Sequence, residues 1–145
     1  GEPVSLRKHV DEAGIDFRLL SSEARHAETE KLGNRLMQAV GRVVPALPVS
    51  LVATAMLEAG DASLSLLDIK QRVSGLIGEL ECRGSYVHIP RTDRDYAIAV
   101  GLRMLTLRHL VLEEDGNYRV NPNELMLLKY YANAIAHLFD AEPAR

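Results

Sequence analysis

The apolar positions of this chain recur mostly at helical spacing, and proline and glycine break the pattern into segments. Ser5 can cap a short helix through Glu12 that stops at Gly14, and Asp16 to Leu20 has no period and reads as loop. A long helix is expected over 22–43. Ser22 is its N-cap, and Glu23 sits in the first turn, where the helix dipole favours negative charge. Leu32, Leu36, Val40 and Val43 make one apolar stripe along it, while the front half is polar and is expected to meet solvent or another domain. Pro45 and Pro48 end this helix. They divide the chain into a leading segment with its long connecting helix, 1–47, and a second domain with a terminal helix, 48–145.

In the second part, Val49 to Leu57 is apolar nearly all round and reads as a buried helix stopped by Gly60. Ser65 to Arg83 is the next helix. Ser65 and Asp68 form a capping box, Leu66, Ile69, Val73, Leu76, Ile77 and Leu80 are its core face, and Gly84 ends it. Tyr86 to Ile89 reads as a short strand before Pro90. Thr92 then caps a helix from Asp93 to Arg108, with Asp95 at the capping-box position and Tyr96, Val100, Met104 and Leu107 as the apolar face. Leu110–Leu112 and Tyr118–Val120 flank an acidic turn with Asp115-Gly116 at its centre, the pattern of a tight hairpin. Asn121, Pro122 and Glu124 start a last helix that carries Leu125, Leu128, Tyr131, Ala132, Ile135 and Phe139 at helical spacing. The polar tail beyond Asp140 is expected to fray. The fold class is therefore mainly α with a small β-hairpin. Over residues 48–121 the order helix, helix, short strand, helix, hairpin is that of a winged-helix domain.

Charge weighs against the partner this order suggests. Residues 48–121 hold eight basic and ten acidic residues, and the whole chain carries a net charge of −3. Phosphate backbones are met by rows of cations. Here the wing tip is Glu113, Glu114 and Asp115, and the third helix opens with Asp93 and Asp95 around Arg94. No nucleic-acid partner is expected, and a winged-helix transcriptional regulator is the alternative reading. No apolar run is long enough to span a bilayer, and the polar N-terminal residues do not form a signal peptide. The one cysteine, Cys82, permits no internal disulfide; it reads as a half-buried residue near a helix end, and an intracellular, soluble module is expected.

Candidate chemistry is sparse. The histidines His9, His26, His88, His109 and His137 have no partner at zinc spacing, so no metal and no cofactor are expected. His26 and Glu30 share a face of a polar helix, where such a pair is usually solvated. One pattern is catalytic in form: His88 and Asp93 stand at the spacing His-x4-Asp used by glycerolipid acyltransferases. There a histidine is general base on a hydroxyl and an aspartate orients the ring. Against this, Asp93 has a competing place in a first helical turn, and no glycine-flanked, arginine-containing phosphate segment follows. The favoured reading of the pair is a strand end followed by a helix cap.

Three segments resemble the C-terminal region of bacterial glycerol-3-phosphate acyltransferases. They are Gly1-Glu-Pro-Val-Ser-Leu-Arg7, Val44-Pro-Ala-Leu-Pro-Val-Ser-Leu-Val-Ala-Thr-Ala-Met-Leu57 and Leu127-Leu-Lys-Tyr-Tyr-Ala-Asn-Ala-Ile-Ala-His-Leu-Phe139. In the last, Tyr130, Tyr131, Asn133, Ile135 and His137 all match the family's closing helix. The resemblance implies a parent enzyme, peripheral on the cytoplasmic face of the membrane. That enzyme moves an acyl group from acyl-CoA or acyl-carrier protein to position 1 of glycerol 3-phosphate in phospholipid synthesis. The family's catalytic His-x4-Asp and phosphate motifs lie upstream of the matched region, so no catalytic residue carries over. The implied role is a non-catalytic domain partnered with the upstream catalytic domain of the same polypeptide, with structural, regulatory or membrane-positioning work to do. Tyr130, Asn133 and His137 form a polar strip on the last helix. It serves either as a contact to the catalytic domain or acyl donor, or as hydrogen bonds that lock the helix onto its own core.

Overall fold

The computed structural model describes residues 3–89 and 91–140. Gly1, Glu2, Pro90 and the tail 141–145, for which fraying is expected, lie outside the described residues. The chain divides into two compact units, Gly1–Val44 and Pro45–Arg145.

The first unit is a pair of helices, α1 (Leu6–Ala13) and α2 (Ser22–Gly41). Ser5 caps α1 by accepting from the Lys8 amide, and Gly14 closes it in the left-handed conformation (φ 63°) that a residue without Cβ adopts at low cost. The cap of α2 is Ser21, not Ser22. Ser21 keeps an extended ψ of 162° and its hydroxyl accepts from the Ala24 amide, while Ser22 is already helical. The helix also ends two residues short of Val43. An Arg35 guanidinium nitrogen donates to the Glu12 carboxylate at 3.0 Å and ties the two helices together. That guanidinium holds the Glu12 carboxyl below its usual range. The stripe expected on α2 is not a buried seam, because Leu36, Val40 and Val43 are all exposed.

The second unit contains the core. Its elements are α3 (Pro48–Ala59), β1 (Leu64–Ser65), α4 (Leu66–Cys82), α5 (Arg94–Leu107), β2 (Val111–Glu114), β3 (Asn117–Val120) and α6 (Leu125–Asp140). Single 3₁₀ turns at Arg91–Asp93 and Pro122–Glu124 lead into α5 and α6. α3 is the central helix and packs against α4, α5 and α6. Its sequence explains the position: Leu51, Val52, Ala53, Ala55 and Met56 cover most of its circumference with apolar groups, and all are fully buried. Burying a side chain such as Leu51 or Met56 contributes about 1.5–3 kcal/mol. Pro48 supplies the first-turn residue, where a missing N–H costs nothing.

The three strands form an antiparallel sheet in the order β1-β3-β2. With α3, α4 and α5 placed before and between them, this is the winged-helix topology. The first strand is not where the sequence places it. Tyr86 to Ile89 joins no sheet; Val87 makes one lone parallel bridge to Ala46, which pins the Pro45–Pro48 joint to the loop after α4. The strand is instead Leu64–Ser65, whose partners are Tyr118 and Asn117. Ser65 thus ends a strand and caps a helix. Its hydroxyl accepts from the Asp68 amide at 3.2 Å, and its own amide donates to the Asp68 carboxylate at 3.0 Å. The wing turns on Asp115 and Gly116, both with positive φ (51° and 77°), as a two-residue hairpin of this twist requires.

Helix α5 departs most from its sequence reading. It begins at Arg94 after a 3₁₀ turn, Asp93 holds the cap position without a side-chain bond, and Thr92 is not the cap. Asp95 does not close a capping box; its carboxylate takes the Lys70 ammonium of α4 at 2.9 Å. The inward face is Ile98, Gly101, Leu102 and Leu105. Tyr96, Val100, Met104 and Leu107, the apolar face read from the sequence, lie on the opposite side and are exposed. The reason is that α5 is apolar around most of its circumference, so periodicity alone cannot choose the buried side. Close approach decides it: a Cβ on Gly101 would stand 3.0 Å from the Pro48 carbonyl group. The glycine therefore has to face α3. Past α5 the chain turns through His109 (φ 57°), and the Asn121 side chain donates to the His109 carbonyl at 2.7 Å.

Candidate functional site

The one catalytic-looking pair does not form a dyad. His88 is exposed, and the hydroxyl of Tyr86 stands 3.4 Å from its Nδ1, the rings meeting edge-on with centroids 6.0 Å apart. Asp93 is exposed at the start of α5. Among the described residues no hydrogen bond joins the two, so nothing in this arrangement orients the imidazole as a general base needs. Cys82 is exposed as the last residue of α4, not half-buried. No three His, Cys, Asp or Glu side chains among the described residues gather as a metal site would require. No helix of the described residues is long and apolar enough to cross a membrane.

The polar strip of α6 faces outward. Leu128, Ala132, Ile135 and Leu138 point to the core, and Tyr130, Asn133 and His137 lie on the far side, all exposed. Their spacing of three and four puts them on one line, which Met126 extends by a further turn. The strip is thus a surface feature on the side of α6 turned away from the core. Its neighbour Tyr131 does serve the fold. Its hydroxyl accepts from an Arg108 guanidinium nitrogen at 2.6 Å, and the same guanidinium carbon lies 5.9 Å from its ring centre. This contact links the end of α5 to the middle of α6.

The second outward surface is the α5 stripe, legible in the sequence as the apolar face of that helix. Tyr96 and Leu107 are 74% and 68% exposed, and Val100 and Met104 between them 38% and 42%. In a winged-helix domain this is the helix that would enter a DNA groove, yet here its outer face is apolar. The wing offers no substitute. Glu113, Glu114 and Asp115 are exposed, and the cation beside them, Arg119, is held by Glu114 at 2.7 Å. That pairing keeps the Glu114 carboxyl below its usual range. Such a surface repels phosphates.

Fold and surface together define a winged-helix-like helical module with an apolar outer face on α5 and a polar outer strip on α6. Its family is clear from comparison: a sequence model described as glycerol-3-phosphate acyltransferase C-terminal region matches residues 1–144, and the chain belongs to that family. No curated protein and no solved structure matches it.

Proposed function

We propose that this chain is a non-catalytic C-terminal domain of a glycerol-3-phosphate acyltransferase, and that it supports the enzyme by packing against its catalytic domain. The parent reaction moves an acyl group from acyl-CoA or acyl-carrier protein to position 1 of glycerol 3-phosphate. In this reading the enzyme works in phospholipid synthesis on the cytoplasmic face of a membrane. The family match along the chain supports the assignment to that enzyme. The observation that carries the non-catalytic part is that no hydrogen bond among the described residues joins His88, met at Nδ1 by Tyr86, to Asp93, which is exposed at the start of α5. An acyl transfer to a hydroxyl needs a base oriented on that hydroxyl, and general-base catalysis is worth about 10²–10⁴ in rate.

The test uses the full-length polypeptide. His88→Ala and Asp93→Asn should leave its turnover within about threefold of the parent, whereas a loss of about a hundredfold in either would sink the non-catalytic reading.

A further inference from the structure

We infer that α1 and α2 open separately from the winged-helix unit, and that a backbone clasp at Ala46 marks where the opening stops. This division is a property of the chain itself and is independent of the reaction its parent enzyme performs.

Burial is shared unequally between the two units. Among the described residues before Pro45 no side chain is buried, and Val10, Ile15, Phe17 and Leu32 are only half-buried. The buried apolar residues, from Ala46 to Leu138, all belong to the second unit. A segment of about 40 residues usually needs a disulfide, a metal or a partner to hold a fold. The chain's one cysteine, Cys82, lies in α4, and no metal-ligating group of three forms among the described residues. α1 has 8 residues, too few to persist as an isolated helix in water. Its tie to α2 is the Arg35–Glu12 pair, whose side chains are 45% and 48% exposed. Exposed ion pairs of this kind contribute little to stability.

The second unit, by contrast, is closed at its entry. The Ala46 amide donates to the Tyr86 carbonyl at 2.9 Å, and the Ala46 carbonyl accepts from the His88 amide at 3.1 Å. Ala46 is fully buried, so water does not compete for either bond. Both partners follow α4, which fastens the entering chain to the body of the unit. Just ahead of the clasp, Arg42 and Val43 lie exposed in a turn. Their amides donate back to the Gln38 and Val40 carbonyls of α2, each at 3.1 Å, so the turn belongs to the helix before it. Unfolding that starts in α2 therefore meets its first buried backbone bonds at Ala46. Segments with few buried contacts and exposed backbone bonds are those that open below the global unfolding free energy.

Native-state hydrogen exchange of residues 1–145 tests this amide by amide. Amides in the middle of α2 should exchange about a hundredfold or more faster than those in the middle of α3 and α4, with Ala46 in the slow class. A smaller ratio, or an Ala46 amide as fast as those of α2, overturns the inference. Limited digestion with trypsin gives a second reading. It should leave a resistant product that begins inside α2 or at Val43, directly after Arg42. A resistant product that keeps the whole of α2, or no resistant product at all, overturns it.

Discussion

Gly101 lies against Pro48 so closely that a Cβ on it would stand 3.0 Å from both the carbonyl carbon and the carbonyl oxygen of that residue. The contact brings α5 backbone to α3 backbone and sets which side of α5 is turned inward. Alanine in its place forces the two helices apart or strains one of them. Gly101→Ala should lower stability by about 1–3 kcal/mol. The check is urea denaturation: the midpoint should fall with the slope unchanged.

The two faces of α5 should differ sharply although both are apolar. Leu105 is fully buried and Leu107 is 68% exposed, only two residues away. Leu105→Ala leaves a cavity and should cost about 2–5 kcal/mol. Leu107→Ser, on the outer stripe, should shift stability by no more than about 0.5 kcal/mol. Thermal or urea melts of the pair measure this directly. Equal losses would mean that the stripe is core after all.

A helix start and a hairpin turn show how legibility depended on where information resides. The Ser65–Asp68 capping box was legible because both partners are local, and so was the Asp115-Gly116 wing, where two adjacent residues satisfy the positive φ the turn needs. The face of α5 was not legible. Apolar residues lie all round it, and the deciding fact is a glycine meeting a proline 53 positions earlier in the chain, at 48 and 101. Strand β1 was missed for a related reason: two residues carry no period, and they are a strand only through pairing with Asn117 and Tyr118. The line Tyr130, Asn133, His137 was legible as one face of a helix. Its outward direction was not, since that depends on Leu128, Ala132, Ile135 and Leu138 being the side that packs.

Asp68 predicts a pH dependence. The Ser65 hydroxyl and amide both donate to its carboxylate and hold its carboxyl below the ordinary value of 3.8. A carboxyl lowered on folding stabilises the folded state above the unfolded value, and that contribution fades as pH falls through the folded one. Asp68→Asn removes the charge at every pH. Its urea midpoint should therefore lie below the parent's at neutral pH, and the gap should shrink as pH falls below the ordinary carboxyl value of 3.8 and through the lowered folded one. A gap of constant size would show that the charge contributes nothing to the box.

The non-catalytic reading is tested most directly by incubating residues 1–145 with glycerol 3-phosphate and labelled acyl-CoA. No acylated product should form above the buffer control. Product that forms with the parent chain and disappears with His88→Ala would contradict the account.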